Sequence, residues 1–142
     1  MTELVLEKGD IAVATLRKPE AISDLASQYT SERLLVLKLD VSKPQEITAA
    51  FDAAVKTFGR IDVVFNNAGY AILGEVEATT DQLARGIFDV NFFGALNVSK
   101  EAIRVFREVN KPQGGRLIQM SSAIVYYEPG ASALYAATKR GK

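Results

Sequence analysis

The chain has 142 residues, 48% of them hydrophobic and 24% charged, with 17 Lys plus Arg against 17 Asp plus Glu. This suits one small globular domain with a real core, and the zero net charge offers no basic footprint for nucleic acid or an anionic membrane. There is no Cys and no His, which excludes disulfides, cysteine nucleophiles, Ser-His-Asp hydrolysis and the usual zinc sites, so no metal site is expected and acid–base work falls to Tyr, Lys, Asp, Glu or water.

Residues 1–8 read as the last turns of a helix, and an apolar run follows at 11–16 (IAVATL). A short helix is expected over 19–29 and a second apolar run over 34–39 (LLVLKL). Ser42-Lys43-Pro44-Gln45 reads as a capping box, with Ser42 as N-cap and Gln45 three positions on. Ile47, Ala50, Phe51, Ala54, Val55 and Phe58 then recur at helical spacing and form one apolar stripe. A third apolar run, 61–65 (IDVVF), follows Gly59. Thr79-Thr80-Asp81-Gln82 reads as a second capping box, opening a helical stretch to about residue 109. Leu83, Ile87, Val90, Val98, Ala102, Val105 and Phe106 mark its inner face. The fourth run, 116–120 (RLIQM), follows Gly114-Gly115. Apolar runs with little polar alternation suit strands buried on both faces of a parallel sheet. Strands alternating with helices predict a doubly wound α/β sheet. No stretch is long and apolar enough to span a bilayer and the N-terminus has no signal-peptide pattern, so a reducing, cytoplasmic compartment is expected.

Several polar residues fall where such a sheet binds ligands, at the carboxyl ends of its strands. The third run leads into Asn66-Asn67-Ala68-Gly69, which is either a plain polar turn or a place where small residues let a ligand approach the backbone. Asp40, followed by Val41 after the second run, either caps the next helix or accepts from an adenine amino group. Arg17 follows the first run. It is either an ordinary surface cation or a partner for a ribose 2′-phosphate, and no Asp stands there to hold a bare 2′-hydroxyl. The fourth run leads into Ser121-Ser122; Tyr135 lies thirteen residues beyond Ser122, and Lys139 four beyond Tyr135. Four residues apart on a helix is the same face. A lysine ammonium beside a phenol favours the phenolate, so the tyrosine can serve as general acid or base, and a nearby Ser hydroxyl can hold a substrate oxygen. Tyr-x-x-x-Lys alone is more often a chance helical pair.

Taken together, NNAG after a strand, Asn91 within the long helical stretch, Ser122 and YxxxK resemble the short-chain dehydrogenase/reductase family over essentially the whole chain. The resemblance implies a Rossmann-like fold and hydride transfer between NAD(P)(H) and a carbonyl/alcohol pair. By that resemblance Tyr135 is the proton donor or acceptor, and Ser122 holds and polarises the substrate oxygen. Lys139 lowers the Tyr135 pKa and binds the nicotinamide ribose, while Asn91 holds a relay water. Asn66, Asn67, Ala68 and Gly69 line the adenosine side of the cofactor cleft, Asp40 and Val41 contact adenine, and Pro129-Gly130 fits the loop between serine and tyrosine. Arg17 matches a position that is basic in NADP-preferring members, so NADP(H) is expected over NAD(H). The aromatic segment 123–127 (AIVYY) points to a small hydrophobic carbonyl or alcohol as substrate. A homo-oligomer is expected through the long helix.

The family's opening strand and TGxxxGxG loop, which offers backbone N–H groups to the pyrophosphate, have no counterpart in these residues. The chain ends on Arg140-Gly141-Lys142, soon after Lys139. The expectation is therefore an incomplete sheet lacking the first strand and the C-terminal strands, a partial nucleotide-binding domain over 1–142. Runs 11–16 and 61–65 would then lack the neighbour they share in the strand order 3-2-1-4-5-6. Weak cofactor binding and slow or no turnover are expected of the 142 residues alone. The competing reading is a catalytically silent fragment or pseudoenzyme acting as a binding or dimerisation module. A sugar-nucleotide epimerase is disfavoured by NNAG.

Overall fold

The computed structural model describes residues 1–127 and 130–141; Pro129, placed by the resemblance in the serine–tyrosine loop, and Lys142 lie outside them. The order is α1 (Thr2–Glu7), β1 (Ala12–Leu16), a 3-10 turn (Pro19–Ile22) running into α2 (Ser23–Ala26), β2 (Leu34–Lys38), α3 (Pro44–Phe58) and β3 (Val63–Asn66). Then come α4 (Asp81–Phe88), a π-turn (Asp89–Gly94), α5 (Ala95–Arg104), a second π-turn (Val105–Val109), β4 (Arg116–Gln119) and α6 (Ala133–Arg140).

All four strands pair in parallel, as two separate ribbons. β1 lies on β2 in the register Ala12↔Leu34 to Leu16↔Lys38, and β3 on β4 from Val63↔Arg116 to Asn66↔Gln119. Among the described residues β1 and β3 each have a strand on one side only. Burial on both faces of every strand is not what forms. In β1, Ala12 and Ala14 are buried while Val13 is 36% exposed, and Val63 of β3 is 52% exposed. Two-stranded ribbons with helices packed mainly on one face leave the other face open, so the side chains sort by the strand's two-residue period.

One apolar cluster joins Leu6 of α1 to Ala12, Ala14 and Leu34. Arg33 bonds the Leu6 and Asp10 carbonyls at 3.0 and 2.9 Å, satisfying backbone at the end of α1. The larger cluster packs Ile47, Ala50 and Phe51 of α3 against Val98 and Ala102 of α5, with Val105, Phe106, Leu39 and Val41. The α3 stripe is thus as the spacing requires. Leu83 is the exception on the next stretch: it is 50% exposed, outside the apolar face assigned to it.

Both expected capping boxes are displaced. Pro44 opens α3 with Lys43 as N-cap, because a proline fits the first turn, where no N–H is needed. Ser42 instead gives its N–H and hydroxyl to Asp40 Oδ1, at 3.0 and 2.7 Å. In the second box Thr80 is the N-cap, accepting from Leu83 N–H at 3.3 Å, while Thr79 donates to the Glu75 carbonyl. The expected helical stretch runs without a break from Asp81 to Val109, widened by the two π-turns. At its end the fully buried Asn110 acts as a backbone surrogate. It accepts from Ile61 N–H at 3.1 Å and donates to the Ile61 and Gly114 carbonyls, each at 2.7 Å. This ties the end of the stretch to the approach to β3.

Candidate active site

The site is assembled around Asn91, in the π-turn between α4 and α5, which is 0% exposed. A π-turn widens the helix by one residue and lets a side chain there reach inward. Asn91 Oδ1 accepts from Tyr70 N–H at 3.0 Å, and Nδ2 donates to the Tyr70 carbonyl at 2.8 Å. These bonds pin the segment that follows Asn66-Asn67-Ala68-Gly69. The other Nδ2 proton goes to Thr138 Oγ1 on α6, at 3.1 Å. Thr138 in turn donates to the Tyr135 carbonyl at 2.8 Å.

Tyr135 and Lys139 lie one turn apart on α6, with the Lys139 ammonium 5.8 Å from the Tyr135 ring centroid. Lys139 is only 5% exposed. Among the described residues its ammonium meets no carboxylate; it reaches the Met120 carbonyl at the end of β4, at 3.4 Å. That contact brings α6 against the strand that leads to Ser122. Ser122 caps the 3-10 turn Ala123–Val125, its Oγ accepting from Ile124 N–H at 3.4 Å, and makes no hydrogen bond to Tyr135.

Gly69 completes this half. A Cβ there would lie 3.0 Å from Asn91 Oδ1 and 3.4 Å from Lys139 Nζ, so both side chains pack directly against the glycine, where a larger residue would crowd them. Lys139, beside Tyr135, is the ammonium donor available at this end of the site. Asn67 is exposed and Ala68 half-buried on the way to it. Asn66 faces away, donating through Nδ2 to the Ala95 carbonyl at 2.8 Å and to Gln119 Oε1 at 2.9 Å. It braces β3 against α5 and β4.

The second half lies at the ends of β1 and β2. Arg17 is exposed, lining a shallow depression with Leu16, Lys18 and Ala21. The Asp40 carboxyl is held below the usual carboxylate range, chiefly by the Ser42 hydroxyl bond. Burial opposes that shift, while the Ser42 N–H and then the charges of Lys43 and Arg17 add to it. Asp40 N–H donates to Glu46 Oε2 at 2.8 Å. One oxygen of Asp40 is therefore engaged in a local turn. Val41 is buried where Gly94, in the π-turn, lets it approach: a Cβ on Gly94 would fall 2.9 Å from both the Val41 carbonyl and its Cγ2.

Sequence reasoning missed Tyr70, Gly94 and Thr138. Gly94 inside a helical pattern was a legible sign of close approach. Tyr70 and Thr138 carry no such sign, because their partner Asn91 is 21 and 47 residues away. Among the described residues no group of three His, Cys, Asp or Glu could hold a metal ion, and no helix is long and apolar enough to cross a membrane.

Comparison with known proteins bears on the family and the fold. The family model described as short chain dehydrogenase matches residues 1–142. An oxidoreductase of Schizosaccharomyces pombe is 35% identical over 98% of this chain and 45% of its own length. The oxidoreductase calM of Penicillium decumbens is 38% identical over 82% of this chain and 38% of its own. The peroxisomal 2,4-dienoyl-CoA reductase of Danio rerio is 30% identical, over 89% and 42% respectively. The chain thus spans under half the length of these curated relatives. A crystal structure of a short-chain dehydrogenase from Streptomyces avermitilis superposes with a TM-score of 0.89 at 28% identity, covering 99% of this chain and 50% of that one. The α/β architecture with parallel strands is that of the Rossmann-like fold, with small sheets.

Proposed function

The chain belongs to the short-chain dehydrogenase family, and from that premise we propose that it supplies the proton-transfer half of an oxidoreductase joining NADP(H) to a carbonyl/alcohol pair. The observation that carries this reading is Lys139: a 5% exposed ammonium that, among the described residues, meets no carboxylate, set beside Tyr135 and against Gly69. Burying a charge without a counter-ion is costly, so a lysine held in this way is a candidate for chemistry. In reduction Tyr135 Oη gives its proton to the substrate oxygen. The Lys139 charge balances the negative charge left on that oxygen of Tyr135, and Ser122 Oγ donates to the substrate oxygen to hold it in line. Oxidation runs the same proton in reverse. Asn91 holds the neighbouring backbone and, by the family's pattern, a water that passes the proton on. NADP(H), when bound, supplies or takes the hydride. Lys139 and Tyr135 would hold its nicotinamide ribose, Asn67, Ala68 and Gly69 the floor of the cleft, Asp40 and Val41 the adenine, and Arg17 the 2′-phosphate.

Exposed Tyr126 and Tyr127, 88% and 61% accessible, support a small hydrophobic substrate. The test is reduction of an aldehyde and ketone panel by the natural polypeptide carrying this sequence. Tyr135→Phe should lower kcat by about a hundredfold or more, and Arg17→Ala should weaken NADPH while sparing NADH. Unchanged turnover in Tyr135→Phe would refute the reading; unchanged NADPH affinity in Arg17→Ala would refute the cofactor preference. A second reading, a binding or dimerisation module, is favoured by one feature: Phe93, Leu96 and Ile103 are 51%, 41% and 40% exposed along one side of the long helix. Such a stripe suits a second copy, and it serves an active enzyme equally well.

A further inference from the structure

Thr138 stands immediately before Lys139 and has no role in the reading above. Its side chain is completely buried, and a buried hydroxyl on a helix commonly satisfies itself on the preceding turn and does nothing further. Here it does both. The hydroxyl has one hydrogen and two lone pairs. The hydrogen is committed to the Tyr135 carbonyl at 2.8 Å, so what remains toward Asn91 is a lone pair, which accepts from Nδ2 at 3.1 Å.

That ordering has a consequence for the amide. An asparagine side chain can turn over and exchange its oxygen and nitrogen, and the choice is set by its partners. Tyr70 offers one N–H and one C=O, and Thr138, its proton already spent, offers only an acceptor. Tyr70 selects the orientation, Nδ2 toward its carbonyl and Oδ1 toward its N–H, and Thr138 takes the second Nδ2 proton and so holds the amide in it. Oδ1 then lies against Gly69, 3.0 Å from where a Cβ there would stand, and Lys139 Nζ lies 3.4 Å from the same point. An acceptor thus sits next to a cation. The reversed amide would set an NH₂ donor beside the ammonium and leave buried groups unpaired.

We propose that Thr138 is a positioning residue, which locks the Asn91 amide and couples the π-turn to the helix carrying Tyr135 and Lys139, so that the proton-transfer groups keep one arrangement. The catalytic part of this inference rests on the proposed oxidoreductase function; the lock itself does not. Thr138→Val keeps the shape and removes the hydroxyl. Thr138→Ser keeps the hydroxyl and removes the methyl.

The first measurement is hydrogen exchange of the Asn91 side-chain NH₂ by ¹⁵N NMR on the 142-residue chain, which needs no cofactor or turnover. The second is kcat and KM of the natural polypeptide carrying this sequence. Thr138→Val should speed Asn91 exchange and lower kcat, each by about tenfold, with KM held within about twofold. Thr138→Ser should restore both to within about threefold of wild type. Unchanged Asn91 exchange in Thr138→Val overturns the lock. So does Thr138→Ser behaving like Thr138→Val, a comparison that stands even if the valine variant folds poorly. Faster exchange with unaltered kcat in an active enzyme overturns the positioning role. If the wild-type polypeptide reduces nothing with either nicotinamide, the proposed function fails, and the exchange data still decide the lock.

Discussion

Gly69→Ala adds a single methyl group against Asn91 and Lys139. Gly69 is not among the glycines with positive φ, which are Gly9, Gly59 and Gly114, so alanine is acceptable to the backbone and the effect is steric. The new carbon would stand 3.0 Å from Asn91 Oδ1, 3.4 Å from Lys139 Nζ and 3.6 Å from Asn91 Cγ. The first contact is tighter than ordinary packing, so Asn91 must retreat by a few tenths of an ångström. Asn91 has little freedom to do so, being 0% exposed and held at 3.0, 2.8 and 3.1 Å by Tyr70 and Thr138. Overpacking a filled site, or releasing one bond of a buried amide, each costs about 1–3 kcal/mol. The expected loss is about 2 kcal/mol, or roughly 3–5 °C in Tm for each kcal/mol at this chain length. Urea unfolding should show a lower midpoint at unchanged m-value. Gly74→Ala is the control: nothing lies within 4 Å of a Cβ there, and its N–H bond to the Ala131 carbonyl survives. If both variants stay within about 0.5 kcal/mol of wild type, Asn91 is not held as described.

Three further outcomes follow from other parts of the molecule. Asn110→Ala strips partners from Ile61 N–H and from the Ile61 and Gly114 carbonyls, and should cost about 2–4 kcal/mol in chemical denaturation; a loss below about 1 kcal/mol would show that these groups find other partners. The Asp40 carboxyl is held low in the folded chain, so its stabilisation is present above the unfolded pKa of about 3.9 and fades as pH falls through the lower folded value. Melting of wild type and Asp40→Asn should differ at pH near 7 by the equivalent of under about 1 kcal/mol, because solvent screens this half-exposed group, and the two curves should converge in acid; a difference that grows in acid contradicts the assignment. If the exposed stripe forms the proposed contact with a second copy, Phe93→Glu should sediment as monomer where wild type sediments as dimer, with a Tm that no longer rises with protein concentration; an identical sedimentation profile in both would remove this stripe from any subunit contact.

The parts of the fold legible in the sequence are those that depend on near neighbours. The stripe on α3 appeared from spacing alone, since helical periodicity sorts side chains within the chain itself. Tyr135 and Lys139 were placed on one face by their separation of four, and the apolar runs marked all four strands to within about two residues. The capping boxes failed for equally local reasons. Pro44 claims the first turn of α3, and Asp40 competes successfully for Ser42.

The rest was decided in three dimensions. Burial on both faces was expected from apolar composition, but burial depends on what packs above and below a strand, and the two ribbons leave Val13 and Val63 open. Asn91 was singled out by its place in a pattern, yet what holds it is Tyr70 and Thr138, brought together from 21 and 47 residues away. Periodicity and spacing determined which residues share a helix face or follow a strand, because those relations belong to the geometry of a single element. Where Lys139 is buried, which way Asn91 presents its oxygen, and how closely both approach Gly69 were settled by tertiary structure, because a hydrogen bond between distant segments has no signature until the fold closes the distance.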